Sequence, residues 1–77
     1  MPTLVIGGYK FRFYSSDKIE LPHVHVLRGE NVAKVWLSPV SVQYSYGYNE
    51  HERNRITELT QQNCDRLLEV WHDYFGT

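Results

Sequence analysis

A glycine pair set between two β-rich runs, TLVI-GG-YKFRFY, constrains this chain more than any other feature. Both central residues of a two-residue type I′ turn need positive φ, which glycine adopts without steric cost, so Gly7-Gly8 predicts a tight hairpin and sets its register. Ile6 then faces Tyr9 and Leu4 faces Phe11, with Phe13 further along the same side. Lys10, Arg12, Thr3 and Val5 project to the other side. One face is a core face, and the other is mixed and carries two cations.

A second hairpin follows from HVHVLRGENVAKVWL, where turn chemistry is concentrated in Gly29, Glu30 and Asn31. A two-residue Gly29-Glu30 loop of type II′ sets Val26 against Ala33 and Val24 against Val35, an apolar side throughout. It also sets His25 across from Lys34, His23 across from Trp36 and Leu27 across from Val32. A three-residue loop would slip this register by one, but alternation alone still groups His23 with His25 and Lys34 with Trp36.

Between the hairpins, SSDKIELP reads as a polar loop, and Pro22 holds the chain extended as it enters the histidine strand. After Pro39, Val40, Val42 and Tyr44 repeat with period two and predict a short fifth strand. The period then changes. Asn49 is a good N-cap with Glu52 three residues on, and Glu50 suits the positive end of a helix dipole. Ile56, Leu59, Leu67, Trp71 and Phe75 form an apolar stripe, and Gly76 supplies a stop. TQQN, residues 60–63, interrupts the stripe, so the segment is one bent helix or two helices meeting near residues 61–64.

These readings give a single α+β domain over residues 1–77: an antiparallel sheet of four to five strands within 1–48, then helical cover over 49–76. At 77 residues the core is marginal, because only about 60% of unfolded surface is buried at this size, and support from a partner chain or a second copy fits that shortage. An apolar fraction of 42% with 14% aromatic residues is too rich for a disordered segment. The formal charge of −1 gives no whole-molecule argument for nucleic acid or membrane binding, so only a local patch could supply one. One cysteine, Cys64, cannot form an internal disulfide, and neither a signal-type start nor an apolar run near the roughly 18 residues of a membrane span is present. The expected compartment is the cytoplasm.

The stretch PHVHV holds the candidate chemistry. His23 and His25 point the same way from a strand and so form one geometric unit. As neutral imidazoles they suit a divalent metal such as zinc, with His72, Asp73 or Glu20 as the third ligand. With Lys34, and with Lys10 or Arg12 on the same face, they suit proton transfer beside a stabilised phosphate, and Trp36 and a tyrosine could stack a base. A small RNA-cleaving enzyme would use that set, with His23, His25 and Lys34 as its catalytic residues. A binding module without chemistry needs only the face itself, with Arg12, Trp36 and the tyrosines Tyr44, Tyr46 and Tyr48 around Gly47 as contacts.

Plainer readings stand beside these. Histidines on a small sheet most often have structural or hydrogen-bonding roles, and His-x-His is short and common. Trp71, Tyr74 and Phe75 sit at helical spacing and are expected to pack on the sheet, with His72 at their rim. Arg53 and Arg55 interleave with Glu52 and Glu58 as an exposed salt-bridged face. Cys64 reads as a small packed side chain, since no base is placed beside it.

The segments MPTLVIGGYKFRFYSSD, PHVHV, AKVWLSPV and LLEVWHDYFG, in that order, resemble a family of short bacterial proteins known only as a domain of unknown function, family 4160. The resemblance maps the family's histidine pair onto His23 and His25 and its tryptophan-histidine ending onto His72. It implies no assigned activity. Members are often encoded beside a second small protein, and some are described as toxin-antitoxin components or regulators. The combined expectation is a bacterial protein acting with a small companion through the His23/His25 face. A metal-binding or RNA-cleaving protein and a regulatory module without catalysis are the alternatives.

Overall fold

The computed structural model describes residues 2–14 and 19–76; positions 15–18 of the loop expected from SSDKIELP lie outside them. Five strands form one antiparallel sheet in chain order: β1 (Thr3–Ile6), β2 (Tyr9–Arg12), β3 (His23–Arg28), β4 (Asn31–Leu37) and β5 (Val40–Tyr46). Two helices follow, α1 (Glu50–Gln62) and α2 (Cys64–Phe75). The α+β expectation holds, and the helical segment divides into two.

Both hairpin registers are those the turns demand. Gly7 and Gly8 have φ of 59° and 86°, and Ile6 pairs with Tyr9 and Leu4 with Phe11. Across the second turn, His25 pairs with Lys34 and His23 with Trp36. Phe11, Phe13, Val24, Val26, Ala33, Val35 and Leu37 are buried together with Ile56, Leu59, Leu67 and Trp71 of the helices. The apolar stripe therefore covers the apolar sheet face, and its burial is the main source of stability.

The helix ends follow local chemistry. Asn49 Oδ1 accepts the Glu52 amide at 2.8 Å, satisfying a donor that the first turn of α1 leaves open. At Asn63, which ends α1, Nδ2 donates to the Leu59 carbonyl at 2.8 Å, and α2 begins at the next residue. Gly76 closes α2 in the left-handed region, its amide donating to the His72 carbonyl at 2.8 Å.

In β5 the period-two reading needs a correction. Val35 pairs with Val42 but its neighbour Lys34 pairs with Tyr44, so Gln43 is an extra residue, a β-bulge. The bulge shifts alternation by one. Val40 and Val42 stay with the core face, whereas Tyr44 and Tyr46 move to the face of His25 and Lys34. A further correction concerns Tyr48, expected as a binding residue. It is 5% exposed, edge-on to Tyr9 with centroids 5.9 Å apart, and its hydroxyl donates to the Val26 carbonyl at 3.0 Å. Tyr48 is a pillar of the core and offers no binding surface.

The turn into that pillar depends on Gly47. Its φ is +85°, and a Cβ there would collide with the Asn31 side chain. Gly47→Ala combines a strained φ with a clash and is expected to destabilise the fold by about 1–3 kcal/mol. A urea titration measures it, and an unchanged midpoint would refute this account.

Candidate functional site: the open sheet face

Helices cover one face of the sheet, and the pairings place a defined set of residues on the other. The strand partners form rows across it. Thr3, Arg12, His25, Lys34 and Tyr44 make the middle row, and Val5, Lys10, Leu27, Val32 and Tyr46 make a second on the Gly29 side. His23, Trp36 and Ser41 make the third, at the opposite end of β3.

The histidine pair is a unit, as the spacing requires, with ring centroids 5.2 Å apart. Its two members have different surroundings. His23 is fully buried, with Trp36 and Trp71 each 5.4 Å from its ring, and Nδ1 lies 2.9 Å from the Leu21 carbonyl. A carbonyl only accepts, so this bond places the ring proton on Nδ1. His25 is half-buried, with its ring 4.8 Å from Tyr14. His25 is therefore the member of the pair that meets solvent.

The other expected site residues are distributed as follows. Lys34 is 8% exposed, and its ammonium donates to Glu20 at 2.6 Å while lying 4.8 Å from the centre of the Trp36 ring. Its charge is paired within the fold with the Glu20 carboxylate. Arg12, half-buried, donates from Nε to Thr3 Oγ1 at 3.1 Å. Trp36 and Tyr44 are half-buried, and Tyr44 lies 5.3 Å from Tyr46. His72 is exposed on α2. Among the described residues, no group of three His, Cys, Asp or Glu side chains is placed to hold a metal ion.

Cys64 is structural, as expected. Its thiol donates to the Leu37 carbonyl at 3.0 Å, and burial, aided by the Asp65 carboxylate, pushes its pKa up, away from the thiolate a nucleophile needs. Arg55 pairs with Glu58 at 3.1 Å on the exposed side of α1, where screening leaves such a pair little energetic weight. Arg53 instead donates to the Tyr48 carbonyl at 2.9 Å.

Two hollows mark the ends of this face. One, of about 300 Å³, is lined by Leu21, Trp36, Ser38, Pro39 and Ser41. Leu21 is 73% exposed and nearby Ile19 92% exposed, an unusual display for large apolar side chains. Its sequence signal was available: an isoleucine and a leucine two residues apart in an otherwise polar loop. The second hollow, of about 380 Å³, lies on the Gly29 side and is lined by Lys10, Arg12, Tyr14 and Arg28 among others.

The chain is an antiparallel meander with one helix-covered face and one face that carries aromatic, apolar and cationic side chains. The chain belongs to the family described as a domain of unknown function, DUF4160, whose model matches residues 8–72. No curated protein and no solved structure matches it. No helix among the described residues is long and apolar enough to cross a membrane.

Proposed function

We propose that this chain is a binding module that docks a small companion protein on the Trp36 end of its open sheet face, as one member of a toxin-antitoxin-like bacterial pair. The carrying observation is the apolar surface of Leu21, Trp36 and Pro39 around the 300 Å³ hollow, with Ile19, 92% exposed, two residues before Leu21 in the chain. Protein interfaces centre on such anchors, an apolar or aromatic side chain filling a pocket inside a polar rim. Half-buried Tyr44 extends the surface, and a 77-residue core gains stability when this area is covered. The companion is the small protein expected beside family members, and the setting is the cytoplasm. His23 serves this reading from beneath, as a buried brace under Trp36.

The test is co-expression with that neighbouring protein, size-exclusion chromatography of the pair, and titration calorimetry. Leu21→Lys with Ile19→Lys changes two side chains outside the core, so the fold should persist while affinity drops at least tenfold, about 1.4 kcal/mol or more. An unchanged affinity in the double variant would sink the proposal. So would a chain that forms a homodimer through this same cluster and ignores the companion.

A further inference from the structure

The sheet has two edges, β1 and β5, each with a strand on one flank only among the described residues. In an antiparallel pair, the N–H and C=O groups of alternate residues point toward the neighbouring strand and away from it. The Phe13 amide donates to the Pro2 carbonyl at 3.2 Å, which sets the phase along β1. Pro2, Leu4 and Ile6 turn their backbone groups toward β2, and Thr3 and Val5 turn theirs outward.

The two edges are protected unequally. Native sheets blunt an exposed edge with charge, proline or a bulge, since its free backbone groups are a template for another strand. β5 is interrupted by the Gln43 bulge. β1, Thr-Leu-Val-Ile, is uncharged and regularly paired, and Val5 displays its side chain at 71% exposure.

We infer that β1 pairs antiparallel with β1 of a second copy, about a two-fold axis through Leu4, so that two five-stranded sheets become one continuous sheet. The spacing of the outward groups selects this occupant and this register. Thr3 and Val5 are two residues apart, so with Leu4 opposite Leu4 each Thr3 faces the Val5 of the other copy, and all four outward N–H and C=O pairs are matched. Centring on Val5 instead would set Thr3 against Gly7, whose φ of 59° belongs to the turn. The side chains agree with the Leu4 register. Two β-branched residues, Thr3 and Val5, meet on the open face, and half-buried Leu4 meets its own copy on the helix side, with Ile6 against Pro2 beside it. Charge does not oppose the pairing. Each chain carries a formal −1, and the nearest cations, on β2, are three strand spacings or about 14 Å from those of the other copy, beyond a Debye length of about 8 Å. Strands of four residues bury an area at the low end for protein pairs, so the dimer is reversible, with a dissociation constant on the order of 100 μM. The edge lies three strands from Trp36 on β4, so this inference does not rest on the companion-docking reading.

The test is sedimentation velocity of the full chain from about 20 μM to about 1 mM, across which monomer should give way to dimer. Val5→Glu places a carboxylate opposite Lys10 within the hairpin, which suits the monomer, and sets two carboxylates about 7–8 Å apart across the axis, so its dimer should be at least tenfold weaker. Ile19→Lys/Leu21→Lys should self-associate like the parent, which separates this inference from the companion site. A pair of cysteine variants reads the register whether or not Val5→Glu folds well. In a Cys64→Ser chain, where the hydroxyl can still donate to the Leu37 carbonyl, Leu4→Cys should form an intermolecular disulfide under mild oxidation, because facing residues of that pair have Cα atoms about 4.5 Å apart. Val5→Cys should not, because its diagonal separation of about 7–8 Å exceeds disulfide reach. The inference is overturned by a chain that stays monomeric throughout, by a folded Val5→Glu chain that dimerises as well as the parent, or by equal crosslinking of the two cysteine variants. It also fails if the parent stays monomeric and Val5→Glu abolishes companion binding, which would assign the edge to a strand of the companion.

Discussion

Trp71→Ala is expected to destabilise the domain by about 3–5 kcal/mol, a large part of the roughly 4–12 kcal/mol that 77 residues of ordinary stability provide. Two effects oppose each other at this helical position. Alanine is the better helix former, a gain of about half a kcal/mol. Against it stands a side chain that is 3% exposed and in contact with Phe13, His23 and Phe75, with centroid distances of 6.0, 5.4 and 4.3 Å. Burial wins by several-fold, because the cavity left by an indole cannot be closed by backbone that the sheet holds fixed. The measurement is a urea midpoint at unchanged slope, and a loss below about 1 kcal/mol would remove Trp71 from the core. The substitution should also open His23 to solvent, detectable as faster modification by diethyl pyrocarbonate.

A second large effect should appear on raising the pH. Burial, reinforced by Tyr9 and Glu52, pushes the Tyr48 hydroxyl up from 10.0 to about 12, with Arg28 acting in the other direction. In the folded state this phenol keeps its proton, donated to the Val26 carbonyl, whereas in the unfolded chain it ionises near 10. Because the folded pKa is the higher one, the stabilisation is complete below pH 10 and is lost as the pH climbs toward 12. The loss is about 1.4 kcal/mol per unit, or about 2–3 kcal/mol across the window. Tyr48→Phe should flatten the stability curve over that range at the cost of one buried hydrogen bond, about 1 kcal/mol at neutral pH. Equal alkaline sensitivity in parent and variant would assign the effect elsewhere.

Much of the fold could be read from short-range signals, because its determinants lie within a few residues of each other. Gly7-Gly8 and Gly29-Glu30 set strand registers locally, and Asn49 and Gly76 satisfy helix ends from within one turn. What escaped reading depends on contacts made across the fold. The Gln43 bulge has no glycine to announce it, yet it decides which face Tyr44 and Tyr46 occupy. Tyr48 looked like the third member of a surface tyrosine row until Gly47 turned the chain inward. The burial of His23 depends on Trp71, a residue 48 positions later in the chain. Lys34 gives its charge to Glu20, which no periodic pattern links to it.

The order β1-β2-β3-β4-β5 also bears on how the molecule is made. Every strand pairs with its neighbour in the chain, so each pairing closes only a short loop, and the sheet can assemble by successive local steps. The helices that cover its apolar face come later in the chain. At ribosomal speeds of about 5–20 residues per second, the roughly 30 residues of the helical segment take about 2–6 s to emerge. For those seconds a finished sheet would hold Phe11, Val24, Val26 and Val35 bare to the cell. The nascent chain is then most prone to aggregate, and a chaperone able to cover one flat apolar surface would have the largest effect on yield.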